Sequence, residues 1–357
     1  MTSKSVLSIL AAGLIIFGCS KDDNGGSGPS SSSFALGADI SWTTKLENEG
    51  RKFYNQNGVE TECTALMRQC GMNSIRLRVW VNPWDRFSSK EDVLEMALRA
   101  KANGMRLMID FHYSDWWADP GQQVIPAAWA DYDFAGLKKA LGDHTREVLQ
   151  LLKDNQIDVK WVQVGNEVAN GMLYHKRRDE SGNATEIVDY GGYIWNNPKG
   201  YVELHNAGYE AVKAVYPDAK VIVHVDNGHD IEHVKYVLEP LRQHGGKYDI
   251  IGLSLYPGQE WQSSVQSCLS NITALTTQYG HKVMICETGM DYWYENTAYD
   301  MLSYLLTNAM KNNYCLGVFY WEPEAPGEGN DAYKMGAFKD GKPTHAMDAF
   351  RIASTRK

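Results

Sequence analysis

From Phe34 onward, short apolar runs alternate with longer amphipathic stretches. Leu36–Ile40, Ser74–Trp80, Arg106–His112, Val159–Gly165, Val221–Val225, Ile250–Leu255, Val283–Cys286 and Leu316–Tyr320 have strand length and read as buried strands. Between them, Lys90–Ala102, Phe134–Leu152, Tyr201–Val215, Ile231–Leu241, Val265–Gln278 and Ala298–Met310 show helical amphipathicity. Gly71, Gly104, Gly245 and Gly280 stand where such helices stop. Strands alternating with helices imply parallel pairing. Eight repeats predict an α/β fold, a single (β/α)₈ barrel of the TIM type. The competing architecture is an open doubly wound sheet, but no Gly-x-Gly-x-x-Gly follows the first strand. No linker interrupts Phe34–Lys357, so one domain is expected there.

In a barrel of this kind the site lies at the C-terminal ends of the strands. The polar residues of this chain gather at that end: Asp39, Arg78, Asp110, His112, Asn166, Glu167, His224, Asp226, Tyr256, Glu287, Trp321 and Glu322. Glu167 closes the fourth apolar run and Glu287 the seventh. Burial of a strand accounts for the apolar residues before them but not for a carboxylate where each run stops. One explanation is that each glutamate caps the loop that follows. The other is a pair of carboxyls facing across one pocket, the machinery of glycoside hydrolysis. Random placement would not favour one end of every strand, which selects the second.

The amino terminus has a different character. Met1–Gly18 contains Lys4 and an apolar run, Val6–Phe17, too short to span a bilayer. It ends Ile16-Phe17-Gly18-Cys19, which resembles a lipobox; lipidation of Cys19 is expected, with a plain signal peptide as the alternative. A polar tether, 19–33, follows, with nothing to bury. Its Lys21-Asp22-Asp23 resembles the export tag of surface lipoproteins in some Gram-negative bacteria, so an outer-membrane, cell-surface address is expected, with membrane contact through the lipid alone. The net charge of −9 opposes a nucleic-acid partner. The five cysteines beyond Cys19 have apolar neighbours and no zinc spacing, and no disulfide framework can be read from them. The 11 Trp and 20 Tyr are numerous enough to supply both a core and flat platforms for sugar rings.

An Asn-Glu after strand four and a glutamate after strand seven resemble the clan of retaining (β/α)₈ glycosidases. More specific is Asp110-Phe111-His112-Tyr113-Ser114-Asp115-Trp116-Trp117-Ala118-Asp119-Pro120-Gly121-Gln122-Gln123. With Gly37-Ala38-Asp39-Ile40-Ser41, Arg76-Leu77-Arg78-Val79-Trp80 and Tyr320-Trp321-Glu322-Pro323, it resembles the endo-β-1,4-galactanases of glycoside hydrolase family 53 from about Phe34 to the end. The resemblance implies a retaining endo-hydrolase of β-1,4-galactan, the pectin side chain, acting as a monomer without a required cofactor. Glu167 would be the acid/base and Glu287 the nucleophile, their carboxyls roughly 5 Å apart. Arg78 would keep Glu287 ionised and Tyr256 would donate to it. Asn166 would bind the sugar 2-hydroxyl, and His112 and His224 would line the adjoining subsite. Asp115 would bind galactose hydroxyls, with Trp116, Trp117 and Trp321 as sugar platforms and Asp39 and Asp110 as supports of the barrel mouth.

Two stretches depart from the pattern. The Tyr174–Trp195 insert, with its Lys176-Arg177-Arg178-Asp179-Glu180, either shapes distal subsites or is a solvated excursion. In the loop after strand eight, Glu328, Asn330 and Asp331 have oxygens suited to calcium, but their spacing matches no calcium loop, and no metal is expected. Two other functions fit the same barrel: hydrolysis of another β-1,4-glycan such as mannan, and glycan binding without catalysis. The latter would be expected to lack Glu167, Glu287 or Arg78, and all three are present.

Overall fold

The computed structural model describes residues 34–326 and 333–356, all within one compact unit. Cys19, the tether and the Glu328–Asn330–Asp331 group lie outside the described residues. Eight parallel strands close into a barrel in chain order: β1 (Ala35–Asp39), β2 (Ser74–Val79), β3 (Arg106–Phe111), β4 (Val159–Val164), β5 (Lys220–Val225), β6 (Ile250–Leu255), β7 (Lys282–Thr288) and β8 (Cys315–Trp321). The expected (β/α)₈ barrel is therefore present. Six long helices, from Lys90–Ala102 to Glu295–Lys311, contain the amphipathic stretches read from the sequence. Ser89, Asp133, Asn197 and Asp230 cap helix starts by accepting backbone N–H bonds. Gly245 and Gly280 end helices in the left-handed conformation expected of a stop.

Alternation along the strands sorts side chains into layers. Inside the barrel, Ala35, Met108, Trp161, Ile222, Ile250, Met284, Cys286 and Phe319 form a separate apolar cluster that closes the floor. Gly37 makes room for it, since a Cβ there would lie 2.3 Å from the Phe319 ring. Further along the same faces come Asp39, Arg76, Asp110, Gln163, His224 and Ser254, all buried. The outer strand faces join the main core beneath the helices. The barrel is thus dry at one end and ionic at the other.

Strict alternation would turn Glu287 outward. Val283 and Ile285 belong to the outer core, whereas Met284 and Cys286 face the floor. Between β6 and β7 the register slips: Leu253 pairs with Ile285, and Ser254 pairs with Glu287. The residue skipped is Cys286, and the slip swings Glu287 into the mouth. Bulges at barrel rims commonly re-aim a side chain in this way.

The Tyr174–Trp195 insert is ordered as antiparallel ribbon. His175–Arg178 pairs with Ala184–Ile187, and Gly171–Met172 with Gly192–Tyr193. It is tied to the segment after β3, where Ile125 N–H donates to the His175 carbonyl at 2.8 Å. Cys63, Cys70, Cys268, Cys286 and Cys315 are free and buried. Among the described residues, no helix is long and apolar enough to cross a membrane, and no cluster of three or more His, Cys, Asp or Glu is arranged to hold a metal.

Candidate active site

Glu287 and Glu167 reach the mouth by different routes. Glu287 stands on β7, 5% exposed. Glu167 lies on the turn after β4, half-buried, with a left-handed backbone at φ +43°. A glutamate held there is strained, a condition typical of functional turns. Gly165 makes the turn possible: its φ is +88°, and a Cβ would meet Val168 and Met172 at 2.6 Å. Both carboxyls line one cleft of about 370 Å³ with His112, Asn166, Tyr256 and Trp321, as expected, and with Trp117, Asp119, Tyr333 and Met335.

The cation beside Glu287 is Arg76, not Arg78. Arg76 Nη2 donates to Glu287 Oε1 at 2.7 Å, to Asp110 Oδ2 at 2.9 Å and to Asn166 Oδ1 at 3.0 Å. Its Nη1 donates to Asp39 Oδ2 at 2.7 Å and its Nε to Gln163 Oε1 at 2.6 Å. Burial opposes its charge, but Asp110, Glu287 and Asp39 hold the guanidinium pKa well above its usual value. Arg78 faces the same side two residues later and one layer nearer the rim. It donates to Glu322 and to Ser88 Oγ, and its guanidinium lies over Trp42, Trp80 and Trp117, 4.2 Å from the last centroid. The expectation for Arg78 is corrected accordingly; period two puts both arginines on one face without saying which lies level with Glu287.

Tyr256, as expected, donates to Glu287 Oε2 at 2.7 Å. Burial pushes the Glu287 carboxyl up to about 7, against the pull of Arg76 and the Tyr256 hydroxyl. Among the described residues, no cation pairs with Glu167. Burial, reinforced by the charge of Glu287, pushes it well above the usual carboxylate range, offset only by a Ser254 hydrogen bond. Of the pair, Glu287 is the one whose charged form is supported by a guanidinium and a phenol.

Histidines and asparagine complete the frame. His112 accepts from Ala118 N–H at Nδ1, 3.0 Å, so its Nε2 donates to Asp110 Oδ2, also 3.0 Å. Burial lowers both the His112 and His224 pKa values, so the imidazoles are neutral. His224, expected to line the adjoining subsite, instead lies behind the cleft, fully buried, 3.0 Å from Asn166 Oδ1 and 2.9 Å from Ser254 Oγ, and acts through those contacts. Asn166 donates through Nδ2 to Ala118 O at 2.8 Å, while Gln123 Nε2 donates to the Asn166 carbonyl at 2.9 Å. The Asp110–Gln123 stretch thus fixes both His112 and Asn166.

Two other expectations change. Asp115 is taken up by backbone: Asn82 N–H donates to it at 3.0 Å and Ala127 N–H at 2.8 Å. Trp116 is packed between Trp80 and Trp84 and lies outside the cleft. Trp117 and Trp321 do line it, in edge contact at 5.6 Å. Arg76 was open to sequence reasoning, since it precedes Arg78 by one strand period. Tyr333 and Met335, beyond β8, carry no pattern that marks them.

The Glycosyl hydrolase family 53 profile matches residues 35–350. An endo-beta-1,4-galactanase from Bacillus subtilis is 32% identical over 81% of this chain and 70% of its own length. An arabinogalactan endo-beta-1,4-galactanase A from Emericella nidulans is 29% identical over 80% of this chain and 84% of its own. A solved fungal beta-1,4-galactanase structure superposes with a TM-score of 0.78 at 26% identity, covering 89% of this chain and 99% of that one. The chain belongs to glycoside hydrolase family 53 and is a glycoside hydrolase.

Proposed function

We propose that the protein is an endo-acting, retaining hydrolase of β-1,4-galactan, with Glu287 as nucleophile and Glu167 as acid/base. The observation that carries this reading is the asymmetry of two carboxyls in one cleft: only Glu287 is held by a guanidinium and a phenol. The group whose charged form is held by those donors is suited to attack the anomeric carbon. The group kept protonated by burial is suited to hand its proton to the leaving sugar oxygen. Having lost that proton, Glu167 draws one from water, which displaces Glu287 from the glycosyl-enzyme. The Asn166 amide has one N–H beyond its bond to Ala118 O, free for a sugar hydroxyl. Trp117 and Trp321 supply apolar faces for sugar rings.

The test is a panel of plant polysaccharides. Galactan viscosity should fall faster than reducing ends appear, and the first product should keep the β configuration. Cleavage of mannan in preference to galactan would replace the substrate; no cleavage of any glycan, with binding retained, would favour a lectin-like role. Release of monosaccharide alone would rule out endo action, and initial α-product would rule out retention. The Cys19 motif supports lipid anchoring at the outer surface of a Gram-negative cell. Cys19→Ala should release the protein from membranes, and a protein that protease added to whole cells never cleaves would not be surface-displayed.

A further inference from the structure

The mouth holds a second cavity of about 620 Å³, lined among others by Trp84, Trp116, Lys176, Arg177 and Arg178. One wall is a graded stack of indoles. Trp80 is fully buried and packs against Trp116 at 4.5 Å and 36°; Trp116 in turn faces Trp84 at 6.0 Å and 37°. The outermost ring, Trp84, is 81% exposed and keeps an open face, with Trp116 against its other side. A lone exposed indole is ordinary on a surface; Trp84 differs in lining a cavity together with Trp116.

The opposite wall is the hairpin of the insert. Arg178 is committed to structure: it donates to Gln122, the Gly182 carbonyl and, at 2.8 Å, the Trp117 carbonyl. Lys176 and Arg177 share one carboxylate, Glu186, and retain donors beyond it. Asp115, at the cavity floor, is taken up by the backbone and does not compete. The cavity and the catalytic cleft lie on either side of neighbouring residues: Trp116 lines the first and Trp117 the second, with ring centroids 6.3 Å apart.

We propose that this cavity is an additional saccharide subsite that takes a neutral hexopyranose unit of the chain held in the catalytic cleft. The apolar face of the sugar stacks on Trp84, and its hydroxyls accept from Lys176 and Arg177. The unit is neutral because the chain in the cleft is read as galactan; Lys176 and Arg177, paired only with Glu186 among the described residues, act as hydrogen-bond donors to its hydroxyls. Binding energy from such a remote contact helps hold the scissile bond in place and improves turnover of long substrates.

This inference rests on the galactan reading, and one experiment separates the two. Wild type, Trp84→Ala, Trp84→Tyr and the double variant Lys176→Ala/Arg177→Ala are compared on long β-1,4-galactan and on a short aryl β-galactobioside. For Trp84→Ala, kcat/KM on galactan should fall about tenfold, the worth of one aromatic contact, with the short substrate unchanged. Trp84→Tyr should restore most of the loss, and the double variant should show a smaller loss confined to galactan. Equal losses on both substrates, or a lowered melting temperature that accounts for them, would make Trp84 a packing residue. No loss on either would leave the cavity without a sugar. Both results overturn the proposal while leaving the galactan reading standing; a wild type inactive on galactan sinks that reading instead.

Discussion

Glu287 and Glu167 share a cleft and a side chain but almost nothing of their surroundings. Glu287 is placed by a strand bulge, is 5% exposed, and has a donor on each oxygen, Arg76 on one and Tyr256 on the other. Glu167 is placed by a strained turn, is half-buried, and has a neutral hydroxyl as partner. Burial raises both pKa values, so burial alone cannot divide the work. The cation does: it lowers the cost of the charged form at one site and leaves the other protonated. Two identical residues acquire opposite duties from what their strand neighbours aim at them.

The largest expected effect breaks the pair outright. Glu287→Ala should be inactive on galactan and on aryl galacto-oligosaccharides alike, because no leaving group substitutes for a missing nucleophile. Glu167→Ala should lose roughly 10²–10⁴-fold on galactan, the range of general acid catalysis. It should still release phenolate in a burst from a dinitrophenyl substrate, whose departure needs no proton. Added azide should speed its second step and give a β-glycosyl azide. Azide rescue at Glu287 rather than Glu167 would exchange the two roles.

The glutamates were legible because each interrupts an apolar run at a strand end, where burial has no use for a carboxylate. The same logic made Asn166, Tyr256 and the barrel itself readable. Depth was not legible. Arg76 and Arg78 have equal claims by alternation, and only the floor cluster and the positions of Asp39 and Asp110 decide that Arg76 sits level with Glu287. The ribbon around Lys176–Arg178 was hidden because its exposed residues have no apolar alternation. Trp84 was overlooked because a loop tryptophan has no periodic context, and its role depends on a hairpin distant in sequence. Sequence period reports faces; layers and cross-loop partners come from closure of the barrel.

A second set of variants sharpens the contrast at the cation. Lysine keeps the charge of arginine but cannot reach Gln163, Asp39, Asp110, Asn166 and Glu287 together. Arg76→Lys should therefore lower kcat on the order of a hundredfold through misplaced carboxyls. Weaker support for the ionised Glu287 raises its pKa. Because Glu287 must be ionised to attack, the acidic limb of the pH–rate profile should move to higher pH. Arg78→Lys disturbs the Glu322 pair and three indole contacts, so its melting temperature should drop while the acidic limb stays in place. An acidic limb that moves with Arg78 and not with Arg76 would return Arg78 to the role first expected of it.

The smallest expected effect isolates the second donor on Glu287. Tyr256→Phe removes one hydroxyl and keeps the ring that lines the cleft, so the fold and the sugar contact should survive. The lost bond is one donor to a charged acceptor, and its removal should lower kcat by about tenfold. The Tyr256 hydroxyl holds the Glu287 pKa down, so its loss raises that pKa and carries the acidic limb upward, in the same direction as Arg76→Lys but less far. The alkaline limb, set by Glu167 losing its proton, should shift little, because Tyr256 donates to the other carboxyl. If instead the alkaline limb moved and the acidic one did not, Tyr256 would be serving the acid rather than the nucleophile. The division of labour between the two glutamates would then need a cause other than their donors.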